Sequence, residues 1–410
     1  MNIKAWENFY ENTQKLSKPA SALELLSSSD NMEVIQLLIS VLQGFIVKED
    51  LHNHLKIYIN KELRNDLIQE MIANPPTQEK SLEYWSKEIF EDQKFGMILI
   101  GLEEFSNSFA EKAAKIIHPL LKVAGLPLNG FSFLFFMGNY GFTPFGIHKE
   151  STGEDGFLFH LGPGKKIFYT WDSPRYNSIQ HQKETFHNIS EMLKESQKYP
   201  LNPGDTMFIP HYVYHVADTP DFSMSLVLDY INPPMDRFEN ELLVETGEEK
   251  LIEHSDYGKP IGMEESISSL ADRLSIETIQ KKLSIRLERK LASLKSNGGI
   301  RKKSIRNSKT LIPNVDFLFQ GKSIFPLIWD LHNPDEILIF ARGHRIPKKY
   351  NPQIIELLEK LNDGNPISSY EVMEKMEPGW DLIDFYGLVQ ELASVEAIQI
   401  QPSEKVIENI

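Results

Sequence analysis

Apolar residues recur at three- and four-residue spacing through SALELLSSSDNMEVIQLLISVLQGFI and again through ELRNDLIQEMI, so residues 1–95 are expected to be helical. No acid–base cluster stands out there, and a packing or lid role follows. From about residue 96 the pattern shortens. FGMILIGL, FSFLFFMGN, GFLFHLG, KIFYTW, DTMFIP and FSMSLVLDYI are β-branched and aromatic runs parted by Gly, Pro, Asn and Asp. Two helical stretches, EKAAKIIHPLLKVAG and SEMLKESQKY, interrupt them. Strands in such close succession predict an antiparallel sandwich or barrel over 96–235.

Residues 236–310 read as a charged helical linker or dimer-forming arm, broken near its end at Ser296-Asn297-Gly298-Gly299. The last part, 311–410, forms a separate unit. It opens with two strands, FPLIWDL and EILIFARG, and continues with a helix capped by Asn351 with Pro352 in its first turn. Ile354, Ile355, Leu357, Leu358 and Leu361 give that helix its apolar face. A short helix from Ser369, a third helix bearing Ile383, Phe385, Leu388 and Leu392, and a closing strand AIQI complete a winged-helix-like order. The chain as a whole is therefore expected to be α+β.

Composition narrows the chemistry. The longest apolar runs, MILIGL and FSFLFFM, fall well short of the roughly 20 residues that span a bilayer. The N-terminal MNIKAWENFYENTQKL lacks the basic-then-apolar order of a secretory signal, so a cytoplasmic protein without a membrane partner is expected. There is no cysteine, which excludes disulfides, thiolate zinc sites, iron–sulfur clusters and cysteine nucleophiles. Any metal must sit on His, Asp or Glu. The net charge of −15 works against general nucleic-acid binding. One segment departs from this: between Lys281 and Lys309, eleven Lys/Arg face the single acid Glu288, about +10, which leaves about −25 for the remainder of a chain at −15.

His148 and Glu150 lie two residues apart, and on a strand residues i and i+2 share a face, so an imidazole and a carboxylate can aim at one point. His215 follows 67 residues later, after the turn Pro203-Gly204-Asp205 and the strand TMFIP. Two histidines and one carboxylate from separate strands match the facial triad of non-haem Fe(II) oxygenases, which leaves coordination positions open.

H-x-acid, a following aromatic strand ending in Gly-Lys, then PGD-x-x-x-IP-x-x-x-x-H and S-x-S-L resemble the JmjC and cupin-type Fe(II)/2-oxoglutarate oxygenases over residues 96–235. The whole-chain order is similar to bacterial JmjC protein hydroxylases, including the ribosomal oxygenases, with their helical dimerisation region and C-terminal winged-helix-like domain. The resemblance implies a double-stranded β-helix core and Fe(II) on His148, Glu150 and His215. It also implies 2-oxoglutarate as cosubstrate, its distal carboxylate paired with a lysine just past a glycine. Lys165 and Lys166 are both candidates; strand alternation lets only one point inward, and the family's spacing from Gly164 favours Lys166. Glu150 stands where the family usually has Asp, one methylene longer.

Asn139 and Tyr140 precede the metal strand, where such enzymes place polar groups near the cosubstrate, and Ser223 and Ser225 are further candidates to hydrogen-bond it. His160 is a fourth ligand, a substrate contact or a satisfied barrel histidine. His211 is read as a loop residue near substrate or merely on the surface, and Tyr169 and Trp171 as packing residues. The activity implied is hydroxylation of a side chain in a peptide or protein, and a homodimer is implied with it. The negative charge suits a cationic peptide or basic ribosomal protein, or a natural-product precursor peptide. The alternative is a DNA-binding regulator or ligand-sensing cupin, against which the acidic candidate recognition helix DLIDFYGLVQELA speaks.

Overall fold

A computed structural model describes residues 3–47, 53–173, 176, 185–248, 262–266, 268, 276–308, 316–376 and 379–402. Lys309 and the stretches 249–261 and 269–275 of the expected helical arm lie outside the described residues. Mixed helix and antiparallel sheet make the chain α+β.

Fourteen strands build the first two sheets: β1 (Ala20–Ala22), β2 (Leu55–Ile59), β3 (Glu62–Leu63), β4 (Phe95–Ile100), β5 (Phe131–Gly138), β6 (Gly141–Phe142), β7 (Ile147–His148), β8 (Glu154–Pro163), β9 (Lys166–Trp171), β10 (Thr185–Phe186), β11 (Gln197–Leu201), β12 (Thr206–Ile209), β13 (Tyr214–Thr219) and β14 (Ser223–Ile231). The larger sheet runs β1-β12-β8-β14-β5-β4-β2-β3, the smaller β10-β7-β13-β9-β11 with β6 on β13. Alternation decides which side chains meet. Leu158, Met207 and Ile209 of the large sheet pack against Phe168 and Ala217 of the small one, so this apolar cluster fills the space between them.

The opposite face of the large sheet carries Phe157, Phe159, Phe208, Met224, Leu226 and Leu228. Helices α1 (Ile3–Asn12), α2 (Ser28–Ile46), α3 (Ile68–Ala73), α4 (Leu82–Phe90) and α5 (Asn107–Ala124) belong to the same buried cluster, with the Trp6 ring 6.4 Å from Phe157 and 6.3 Å from Phe159. On the outside of the small sheet, Ile147, Trp171, Tyr214 and Val216 gather with Ile189 from α6 (Ile189–Met192). There the Trp171 indole donates to the Met192 carbonyl at 3.0 Å.

α2 starts where Ser27 accepts from the Asp30 amide, and Val34, Leu38, Val41, Leu42 and Phe45 form its buried stripe. Gly44 interrupts a good helix former for a steric reason: a Cβ there would lie 2.1 Å from the Phe105 carbonyl oxygen. Gly44→Ala, which helix propensity alone would favour, is therefore expected to destabilise the protein by about 2 kcal/mol. Urea unfolding measures this, and an unchanged or raised midpoint would contradict the close approach.

Two helices follow the barrel, α7 (Met235–Glu248) and α8 (Ile276–Ser296). The C-terminal unit has its own buried cluster. It contains β15 (Phe317–Gly321), β16 (Ile328–Asp330), β17 (Glu336–Ala341), β18 (His344–Lys349), α9 (Pro352–Asn362), β19 (Ile367–Ser368), α10 (Ser369–Glu374), α11 (Leu382–Ser394) and β20 (Ile398–Pro402), in sheets β19-β15-β20 and β16-β17-β18. The Asn351 side chain accepts from the Gln353 amide at 2.9 Å, the cap its position before Pro352 predicts.

The structure departs from the sequence reading in several places. LKIYI, inside the segment expected to be helical, is β2: Leu55, Ile57 and Ile59 are buried in alternation, and the strand extends the sheet by pairing with β4. Only the start of SEMLKESQKY is helical, because Gln197 onward pairs with β9. β15 and β18 are not among the predicted strands: β18 is half polar, and β15 is a run of three apolar residues followed by Gln-Gly. Ile383 is 82% exposed and does not join the stripe of Phe385, Leu388 and Leu392, lying instead in the first turn of α11. Among the described residues, no helix is long and apolar enough to cross a membrane.

Candidate metal centre

His148 ends β7, and its ring points into the space between the sheets because Ile147 takes the outward position. The preceding Gly146 sits at φ +86° with the Phe186 carbonyl 2.5 Å from where a Cβ would be, so only glycine fits this turn. On β13, Tyr214 and Val216 pack outward and His215 and Ala217 turn inward. The two histidines are cross-strand partners, with ring centroids 4.3 Å apart.

Glu150 Oε1 lies 3.7 Å from His148 Nε2 and 3.3 Å from His215 Nε2. His148 Nδ1 donates to the Gly146 carbonyl and His215 Nδ1 to the Val213 carbonyl, each at 3.1 Å. Those bonds commit each Nδ1 as a donor, so both Nε2 atoms face Glu150 and are the ones left to ligate a metal. Ligands about 2.1 Å from a divalent ion stand roughly 3 to 3.6 Å from one another. The three donors, which lie within 4.8 Å of one another, thus fit such an ion with a small contraction. Burial, and then the charge of His215, push the His148 pKa down to about 4, so the imidazole is neutral at neutral pH, as a ligand must be. Burial raises Glu150, but its hydrogen bond with His215 and the nearby histidine charges outweigh this and hold the carboxyl below its ordinary range.

Lys166 opens β9 with its side chain inward and is 1% exposed, whereas Lys165 faces solvent. Lys165 is therefore corrected as a cosubstrate residue, since strand alternation turns it away. The Lys166 ammonium contacts the Tyr140 hydroxyl at 3.4 Å and forms no ion pair among the described residues. Tyr140, Thr143, Phe145, Phe168 and the three candidate ligands line one pocket with Lys166, closed by Phe136, Leu158, Ile209 and Val227.

The other candidates are dispersed. The Asn139 carboxamide oxygen accepts from the Phe95 amide at 2.9 Å, a link between β4 and β5 outside the pocket lining. Ser225 and Ser223 share the inward face of β14 with Val227, fully buried, and neither hydroxyl has a partner among the described residues. His160 lies opposite Ser225 on β8, its Nε2 2.8 Å from the Gly164 carbonyl. It is not in the candidate metal cluster. His211 is held to Asp155 at 2.9 Å, outside the pocket lining. Sequence reasoning missed Phe145, whose ring meets His148 edge-on at 4.5 Å, and Phe168, nearly parallel to His215 at 5.9 Å. Phe168 was legible as the residue two past Lys166; Phe145 lies in an irregular turn with no such signal.

Burial, and then the Lys166 ammonium, push the His160 pKa down from 6.5 to about 4. The unfolded chain takes up this proton near its ordinary pKa and the folded chain only near the lower one. Stability from neutral His160 is thus complete above about pH 6.5 and lost as pH falls toward 4. His160→Gln is expected to lose less stability than wild type between about pH 7.5 and about pH 5 in urea titrations. Equal losses would show that His160 does not titrate in this way.

No protein-family model matches the sequence, and no curated protein matches it. Among solved structures the chain shares its fold with a ribosomal oxygenase. The structure of Escherichia coli ycfD aligns with TM-score 0.52 and 12% identity over 96% of this chain and 98% of that one. A second, of E. coli YcfD, a ribosomal oxygenase, in complex with cobalt and 2-oxoglutarate, aligns with TM-score 0.50 and 12% identity over the same shares. At this identity the likeness shows the fold.

Proposed function

We propose that the protein is an Fe(II)- and 2-oxoglutarate-dependent oxygenase that hydroxylates a side chain in a peptide or protein. The observation that carries this reading is Lys166: a buried ammonium without an ion pair, in the same apolar pocket as two histidines and a carboxylate. Such a cation is costly to bury alone, and the distal carboxylate of 2-oxoglutarate is the anion it suits. The cobalt and 2-oxoglutarate bound by the YcfD structure agree with this.

In this reading His148, Glu150 and His215 hold the iron, which supplies the site for O₂ activation coupled to decarboxylation of 2-oxoglutarate. His148 and His215 keep their lone pairs aimed through the bonds to Gly146 and Val213. Lys166, with Tyr140 beside it, fixes the far end of the cosubstrate. Phe136, Leu158, Ile209 and Val227 exclude water from the reacting centre. The net charge of −15 supports a basic peptide or protein as substrate through complementary steering.

The same proposal includes a 96–235 catalytic barrel flanked by regions 1–95, 236–310 and 311–410, the last winged-helix-like, in a cytoplasmic protein. Leu243 and Val244 on α7 and Ile276 on α8 are at least half exposed, which supports a homodimer formed through this arm.

The test is succinate release from 2-oxoglutarate by anaerobically purified protein given Fe(II), then O₂, with basic candidate peptides, for wild type, His148→Ala and Glu150→Asp. Iron- and peptide-dependent succinate in wild type, absent from His148→Ala, is expected. No iron binding and no turnover in wild type would remove the enzyme reading.

A further inference from the structure

The basic segment of the linker remains unexplained by an oxygenase site. In α8 it is not simply a solvated face. Arg286 and Lys290 both reach Glu245 of α7, at 2.6 and 3.0 Å, so one carboxylate serves two cations. Arg301 and Arg345 line the same cleft, which has a volume of ≈ 800 Å³. Counted around its wall, five Lys/Arg face three Asp/Glu, an excess of positive charge in a chain at −15. Burial, and then Arg286 and Arg289, push the Arg345 pKa down to about 10, a sign of like charges gathered together. Asn129, also on the wall, is 4% exposed; its amide nitrogen donates to Glu241 at 2.8 Å, while its oxygen accepts nothing among the described residues.

We propose that this cleft between α7, α8 and the β17–β18 turn binds a ribose-linked phosphate, from a mononucleotide or from an RNA strand. Guanidinium forks and an ammonium suit phosphate oxygens, which relieve the mutual repulsion of the cations. The buried Asn129 oxygen has no donor among the described residues, and a sugar hydroxyl beside the phosphate supplies one. The volume of ≈ 800 Å³ lies in the range of small-molecule sites. This site is separate from the metal pocket and does not depend on its chemistry.

Binding to the full chain without added metal is measured by calorimetry for inorganic phosphate and AMP, and by fluorescence anisotropy for a labelled oligoribonucleotide of about ten residues and its DNA counterpart. Variants are Arg301→Glu, at an exposed position, Arg345→Gln, and Lys61→Glu on the exposed β2–β3 turn as a charge control. AMP or the RNA is expected to bind wild type, about tenfold more weakly in Arg301→Glu and Arg345→Gln and unchanged in Lys61→Glu. Tighter binding of RNA than of AMP assigns the strand; the reverse assigns the mononucleotide. No binding of any probe at millimolar concentration, equal losses in Arg301→Glu and Lys61→Glu, or phosphate and DNA binding as tightly as the ribose ligands would overturn the proposal.

Discussion

Lys166→Met is expected to weaken 2-oxoglutarate binding by about 30-fold or more and, at the same time, to make the ligand-free protein more stable. Both effects follow from one environment. Lys166 is 1% exposed, and among the described residues its ammonium has one polar partner, the Tyr140 hydroxyl at 3.4 Å, with the centroid of the same ring 5.8 Å away. Removing one partner of a buried charge pair costs roughly 2 to 5 kcal/mol of binding, which sets the lower bound on the affinity loss. In the free protein there is no carboxylate partner to lose among the described residues. A methionine of similar length keeps the packing against Phe168 and removes the desolvation of the ammonium, a gain of about 1 kcal/mol or more. Calorimetric titration of 2-oxoglutarate into the protein loaded with a redox-inert divalent metal reads the first effect, and urea unfolding of the apo form the second. Unchanged cosubstrate affinity would refute the assignment of Lys166. A destabilised apo form would mean that the ammonium has a structural partner instead.

His215→Ala is the second large effect: divalent-metal affinity is expected to fall by more than about 100-fold, and iron-dependent succinate formation to disappear. His215 Nε2 is the donor nearest Glu150, and its Nδ1 is committed to the Val213 carbonyl. Loss of the ring therefore removes a preset ligand rather than a mobile one. The strand itself remains, since Tyr214 and Val216 on the outer face anchor β13. Metal titration followed by competition with a chelator, together with near-ultraviolet circular dichroism to verify folding, measures this. Wild-type metal affinity in a folded His215→Ala would exclude the three-ligand centre.

The barrel was legible because its strands obey period two on both faces. GIH and YHVA each place an outward packing residue beside an inward histidine, and KKIF does the same for a lysine, so spacing in the sequence became direction in the sheet. What was illegible depended on contacts between distant residues. LKIYI carries the same alternation, yet it lies among helical patterns and becomes a strand only because β4 offers its edge. Asn139 has the composition of a cosubstrate contact, but the amide of Phe95 takes its oxygen. Ile383 is apolar but stands two residues from Phe385, about 200° round the helix, so it faces outward while Phe385, Leu388 and Leu392 turn to the C-terminal core.

The buried face shared by the N-terminal helices and the large sheet also defines what the barrel is physically. Phe157, Phe159 and Phe208 stand side by side with Met224, Leu226 and Leu228 on a surface that faces Trp6 and Phe9, not water. A fragment cut at residue 96 would leave that aromatic wall bare, a patch of the kind that drives proteins to associate indiscriminately. The metal pocket is thus the inner side of a sheet whose outer side is kept soluble by the first ninety or so residues, and neither side of that wall can be inherited without the other.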